Sequence, residues 1–157
     1  GLGPARLDDQ LSTRRQPVAR TCREPTVQVD AVAPAVERDP RLVITRLGRH
    51  RELGHTVILA SASLDPYLGP LGRSLGVDAV VCTVLERGRD GRLTGRLVGA
   101  NCRGAEKARR VRGWLREHDL ADAELWVYGD SSGDDELLAL ADRPLRVDGI
   151  RVDPEPR

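Results

Sequence analysis

The strongest constraint on this chain is a pair of short segments, Val57-Ile58-Leu59-Ala60 and Leu125-Trp126-Val127-Tyr128, that are apolar at every consecutive position. A strand with one wet face alternates apolar and polar residues, so a strand with no polar position must be covered on both faces. Both runs are too short for buried helices and carry β-branched or aromatic residues. Gly54 precedes the first and Ser61 follows it, and the second runs straight into Gly129-Asp130. They read as interior strands of a parallel sheet.

The segments around them supply its cover. Pro40 suits a first helical turn with Asp39 as N-cap, Leu42, Val43 and Leu47 can share one face, and Gly54 ends that helix. Residues 64–75 form an amphipathic pattern that Gly76 closes, and Ala79-Val80-Val81 is a short strand. Residues 82–98 read as a hairpin, with arms Thr83-Val84-Leu85 and 93–97 around Arg89-Asp90-Gly91. A helix is predicted over 103–118, with Ala105, Ala108, Val111, Trp114 and Leu115 on its inner side. Another follows over 134–141, then a last strand at Leu145-Arg146-Val147. This order predicts an α/β fold, a mostly parallel sheet with helices on both faces. Residues 1–30 show neither a period of 2 nor of 3.6 and few apolar positions, which predicts a disordered or non-native leader. The core is expected over 31–150 and a tail over 151–157.

With 157 residues, one domain with a real core is expected. The net charge of +1 gives no footprint for nucleic acid or an anionic membrane. No apolar run approaches the ~18 residues that span a bilayer, and the first residues lack the order of a signal peptide. Cys22, Cys82 and Cys102 are widely spaced with no CxxC pair, which suits reduced thiols in a cytoplasmic protein. There is no methionine, and of 25 basic residues only Lys107 is a lysine.

In an open parallel sheet, functional groups collect where strands end and helices begin. Ser61 stands at one such end, where a hydroxyl and the N–H groups of the following turn can hold a phosphate oxygen. A plain helix-capping serine is the bland alternative, and Ser63 competes for that cap. Asp130 stands at the other end, and Asp134, four residues on, opens a helix. Two carboxylates converging on one cleft repel each other unless a cation lies between them, and hard oxygen ligands with room for water suit Mg²⁺. The competing reading is a polar loop with an N-cap. Lys107, in the first turn of its helix, is by default a solvated charge. Beside two carboxylates and a phosphate it could neutralise charge on a transferring phosphoryl group.

Together these segments resemble the haloacid dehalogenase superfamily, and within it the phosphoserine-phosphatase-like hydrolases of the IB subfamily. Residues 57–63 look like the second motif, a strand ending in a phosphate-binding Ser or Thr. Asn101-Cys102-Arg103-Gly104-Ala105-Glu106-Lys107 is similar to the third, whose catalytic lysine is then Lys107. Gly129-Asp130-Ser131-Ser132-Gly133-Asp134 resembles the fourth, whose acids hold Mg²⁺. The hairpin fits the same branch, and the likeness runs from about residue 31 to 148. It implies a HAD-like, Rossmannoid three-layer sandwich acting as a Mg²⁺-dependent phosphatase on a small phosphorylated metabolite. Ser61 and Ala62 would bind the phosphate, and Asp130 and Asp134 the metal. Phosphoserine is the default substrate by resemblance only, because most of the cap that sets specificity in this superfamily is expected to be missing, residues 31–34 resembling its tail.

One departure bears on catalysis. The family's first motif is a strand ending in Asp-x-Asp-x-Thr, which supplies the phosphorylated nucleophile and the general acid/base, and no such run occurs in the chain. The nearest segment, Val27-Gln28-Val29-Asp30, continues as Ala31-Val32-Ala33-Pro34, without the second Asp. No nucleophile is visible, and the N-terminal strand and cap are expected to be incomplete, with leader residues in their place. The chain as written is predicted to give no turnover. A non-catalytic phosphate- or Mg²⁺-binding remnant and an unstable gene fragment are the alternatives. A phosphoacceptor receiver domain ranks lower, because it lacks the hairpin and the Gly-Asp-x-x-x-Asp run.

Overall fold

The structure, a computed structural model, describes residues 26–30 and 40–147, with side chains from Thr45 onward. Its elements in chain order are β1 (Thr26–Asp30), α1 (Pro40–Glu52), β2 (Thr56–Leu64), α2 (Asp65–Leu75), β3 (Ala79–Thr83), β4 (Leu85–Arg87), β5 (Leu93–Leu97), α3 (Ala105–Glu117), β6 (Glu124–Gly129), a 3₁₀ turn (Ser132–Asp134), α4 (Asp135–Leu138) and β7 (Arg143–Arg146). Five parallel strands make one sheet in the order β3-β2-β1-β6-β7, and β4 and β5 pair antiparallel as a separate ribbon. The expected mostly parallel α/β sheet with an attached hairpin is what forms.

The two apolar runs become β2 and β6 for the reason their composition gives. Ile58, Ala60, Leu125 and Val127 point to one side, into a core closed by Ala108, Val111 and Leu115 of α3 and by Leu137 and Leu138. Leu59 points to the other side, against Leu68 of α2 and Cys82, and Trp126 and Tyr128 pack there with Leu145. Ile58, Val111, Val127 and Leu137 are fully buried, and each contributes roughly 1.5–3 kcal/mol by leaving water. Gly76 takes the left-handed conformation, φ 65°, that closes α2, and Val77 N–H reaches back to the Gly72 carbonyl at 3.2 Å.

Several boundaries differ from the sequence reading. Residues 26–30, assigned there to the leader, form β1 in the middle of the sheet, with Asp30 in register with Leu59 on one side and Tyr128 on the other. The central position expected to be incomplete is thus held by Thr-Val-Gln-Val-Asp; residues 1–25, most of that leader, and 148–157, with the tail, lie outside the described residues. Strand β2 does not stop at Ala60. Its pairing with β3 jumps from Ala60↔Val81 to Leu64↔Thr83, so Ser61-Ala62-Ser63 bulges out of the ladder before α2 starts. Ala105 is exposed rather than inward, because the buried arc of α3 runs through Lys107, Ala108, Val111 and Leu115. The helix expected over 134–141 is shorter, a 3₁₀ turn leading into α4. Asp39 is outside the described residues, as are the side chains of Leu42 and Val43, whereas Leu47 is buried as expected.

Candidate active site

Strand order reverses between β1 and β6: one crossover series leaves β1 toward β3 and the other continues from β6 toward β7. In such sheets the crevice beyond the carboxyl ends at the reversal is where ligands bind. Asp30 ends β1 there, and its register partners Leu59 and Tyr128 lie two residues before Ser61 and Asp130. Ser61 and Asp130 therefore flank the end of the central strand from its two neighbours.

On the β6 side, Gly129 is required by crowding. A Cβ there would stand 2.8 Å from the Asp134 Cβ and 3.0 Å from Leu138 Cδ1. The chain turns tightly enough for the Asp134 carboxylate to fold back under the loop. Its Oδ2 accepts the Ser131 N–H at 3.1 Å and the Ser131 hydroxyl at 2.9 Å, and Lys107 Nζ donates to Oδ1 at 2.5 Å. Lys107 and Asp134 are 4% and 1% exposed, so this is a buried ion pair with additional hydrogen bonds on the acid, the arrangement a desolvated pair needs to persist. Asp130 is half-buried beside it. Desolvation first, and then the Asp134 charge, push its carboxyl above the usual carboxylate range, with Lys107 opposing. A carboxylate in that position gains from an added cation.

The lysine helix is fixed to this loop by backbone. Gly104, with φ 57° and ψ −130°, takes a conformation closed to other residues, and its N–H donates to the Gly133 carbonyl at 2.9 Å. Arg110 adds two ties, to the Cys82 carbonyl at 2.7 Å and the Ala100 carbonyl at 2.6 Å, while Glu106 holds its guanidinium at 2.6 Å. Lys107 is thereby aimed inward from the first turn of α3.

On the β2 side, Ser61 is 2% exposed. Its hydroxyl oxygen accepts the Ser63 N–H at 3.1 Å, so its proton stays available to an incoming oxygen acceptor. The Ala62 carbonyl accepts the Thr83 hydroxyl at 2.8 Å. Ser61 is not an N-cap of α2: Leu64 occupies that place, without a side-chain cap. The bulge, rather than a helix start, shapes this half of the site.

Of the residues singled out by sequence, Lys107, Asp134 and Asp130 are brought into one cluster, and Ser61 and Ala62 stand across the end of β1. Among the described residues no three His, Cys, Asp or Glu side chains gather into a metal cluster. Asp130 and the edge of the Asp134 loop present hard oxygens of the kind that could take a cation. Two contributors were missed from sequence. Thr83 had been placed in a hairpin arm, although a hydroxyl directly after an apolar strand was a readable signal. Gly104 carried none beyond being glycine.

The open parallel sheet thus carries a lysine–aspartate pair on one side of its reversal and a buried serine on the other. The family model for haloacid dehalogenase-like hydrolases matches residues 8–139, and the chain belongs to that family. The match begins upstream of the boundary near 31 expected from sequence. The protein CicA of Caulobacter vibrioides is 40% identical over 114 residues, 72% of this chain and 49% of that protein. A structure of a Bordetella pertussis protein of unknown function superposes with a TM-score of 0.61 at 31% identity, covering 71% of this chain and 52% of the other. A substrate-bound phosphoserine phosphatase shares the fold at 12% identity, with a TM-score of 0.58 and coverage of 79% and 85%. The chain spans about half the length of CicA.

Proposed function

We propose that this chain carries the Mg²⁺- and phosphate-binding part of a phosphomonoesterase site, of the phosphoserine-phosphatase-like branch. The observation that carries the reading is the buried Lys107–Asp134 pair at 2.5 Å beside a half-buried Asp130 at the carboxyl end of β6. Asp130, with Asp134 behind it, would hold Mg²⁺, which supplies positive charge against the phosphate oxygens. The raised pKa of Asp130 supports this, since the apo carboxylate is electrostatically uncomfortable. Ser61 would donate its free hydroxyl proton to a phosphate oxygen, with Ala62 lining the same turn. The Lys107 ammonium, held by Asp134, would place its charge at the transferring group without being drawn into solvent.

The substrate in this reading is a small phosphorylated metabolite, with phosphoserine as the default. A cytoplasmic location belongs to the same reading: Cys82 and Cys102 are free and buried, and no described helix is long and apolar enough to cross a membrane. In the intact family mechanism an aspartate attacks phosphorus and water cleaves the aspartyl-phosphate. Asp30 ends the strand between Ser61 and Asp130 but lacks the second Asp two residues on. We therefore expect binding without turnover.

The test is a pair of measurements on the purified chain and its Asp130→Asn variant. Mg²⁺ with inorganic phosphate should raise the wild-type melting temperature, and D130N should lose that rise. With para-nitrophenyl phosphate and Mg²⁺, both should release phosphate at the same background rate. No Mg²⁺ effect would overturn the metal site; release by wild type alone would show that Asp30 or another carboxylate serves as nucleophile.

A further inference from the structure

We infer that Thr83 is a positioning residue that locks the phosphate-binding bulge and the lysine-bearing loop to each other, so that the two halves of the site move as one. The inference rests on the reading of Ser61 as a phosphate ligand. Thr83 ends β3 and is 2% exposed. Its hydroxyl proton is shared between the Ala62 carbonyl at 2.8 Å and Asn101 Oδ1 at 3.0 Å, and its oxygen accepts the Cys102 N–H at 3.0 Å. One buried hydroxyl thus touches three residues on two segments that are not otherwise joined by described hydrogen bonds at this point.

Each contact lands where orientation matters. Holding the Ala62 carbonyl fixes the plane of the peptide that carries the Ser63 N–H. That N–H occupies a lone pair of Ser61 Oγ at 3.1 Å and turns the hydroxyl proton outward. Holding Asn101 and Cys102 fixes the approach to Gly104, whose N–H is tied to the Gly133 carbonyl, and so the start of the helix bearing Lys107. The bulge lacks the ladder that steadies the rest of β2, because residues 61–63 have no partners on β3. A hydroxyl is needed here. Valine would fill the same volume but leave a carbonyl and an N–H without their partner in a buried place.

The experiment compares wild type with Thr83→Val and Thr83→Ser, following amide hydrogen exchange and the Kd for inorganic phosphate in Mg²⁺. Loss of one buried hydrogen-bond node should speed exchange at both Ser63 and Cys102 and weaken phosphate by about tenfold in T83V, with T83S within about twofold of wild type. A merely structural role would lower the melting temperature of T83V and leave the Kd unchanged, or speed exchange at Cys102 alone. Either result overturns the inference. If T83V does not fold, Asn101→Ala removes one arm from an exposed position; it should weaken phosphate about threefold, and an unchanged Kd overturns the inference. If wild type binds no phosphate, the Ser61 reading fails separately. Joint against separate changes in exchange at Ser63 and Cys102 then decide the lock itself.

Discussion

Two polar clusters are buried on opposite faces of the sheet and treat charge in opposite ways. Under the loop after β6, Lys107 and Asp134 form an ion pair at 2.5 Å, with Ser131 completing the acid's hydrogen bonds. Against the other face, fully buried His50 meets His55 through their Nδ1 atoms at 2.8 Å and the Tyr128 hydroxyl through Nε2 at 2.9 Å. It packs edge-on against Trp126 and Tyr128. Burial, then His55, then Arg46 push its pKa down to about 3. The difference lies in the partners. The lysine stands against a carboxylate that attracts it, while the imidazole faces another imidazole and a guanidinium and sheds its proton. The ion pair sits at the carboxyl end of β6, and the discharged imidazole lies packed against aromatic rings on the other face.

The largest effect should come from breaking the charged cluster. Lys107→Met leaves the Asp134 carboxylate buried without its cation, and should cost about 3–5 kcal/mol of stability in urea unfolding. Adding Asp134→Asn should recover part of that loss, because the orphaned charge is then gone. A loss in K107M under about 1 kcal/mol would mean the pair is hydrated in solution, and the contrast between the clusters would fall.

The neutral cluster makes a smaller, pH-dependent prediction. Unfolded His50 takes a proton near its ordinary 6.5, whereas the folded protein resists it down to about 3. Its contribution is therefore complete above 6.5 and is lost as pH falls through that window, by at most about 1.4 kcal/mol per pH unit. The window from pH 6.5 to 5 lies above the ordinary carboxylate range, and the difference between wild type and His50→Gln within it isolates the His50 part. Unfolding free energies across that range should fall for wild type and stay flatter for His50→Gln. Parallel curves would show that His50 is protonated in the fold, and so that both clusters carry charge.

How much of this was legible differs between the two clusters. Lys107, Asp130 and Asp134 lie on segments whose strand-turn-helix pattern and local spacing place them at one sheet edge, and a lone lysine among arginines marks itself. The His50–Tyr128 contact joins residues 78 apart in sequence, and nothing local to either announces it. The same limit explains the bulge, which depends on how β2 pairs with β3 rather than on the order Ser-Ala-Ser. Strand β1 misled for a physical reason. Thr26-Val27-Gln28-Val29-Asp30 is too short a run to stand out from the polar residues before it, and Gln28 interrupts its apolar positions, yet it lies between two apolar strands at the centre of the sheet. The turn and second arm of the antiparallel ribbon were read correctly because their chemistry is local, with Gly91 at φ 79° and the Arg92 N–H held by the Asp90 side chain at 3.0 Å, whereas the first arm is Leu85–Arg87 and Thr83 belongs to β3.

The smallest expected effect tests whether burial, rather than charge as such, separates the clusters. Arg49 precedes His50 on α1 but faces solvent, paired with Glu52 at 3.4 Å with both side chains about half or more exposed. Water already screens that pair, so Arg49→Ala should change stability by less than about 0.5 kcal/mol. It should also leave the pH 6.5 to 5 slope of the wild type unaltered, because the group setting that slope is the next residue, turned inward. A shift of that slope in the variant would mean that an exposed guanidinium still reaches the buried imidazole. The local field of α1, and not the closure of His50 against Tyr128 and Trp126, would then govern its protonation.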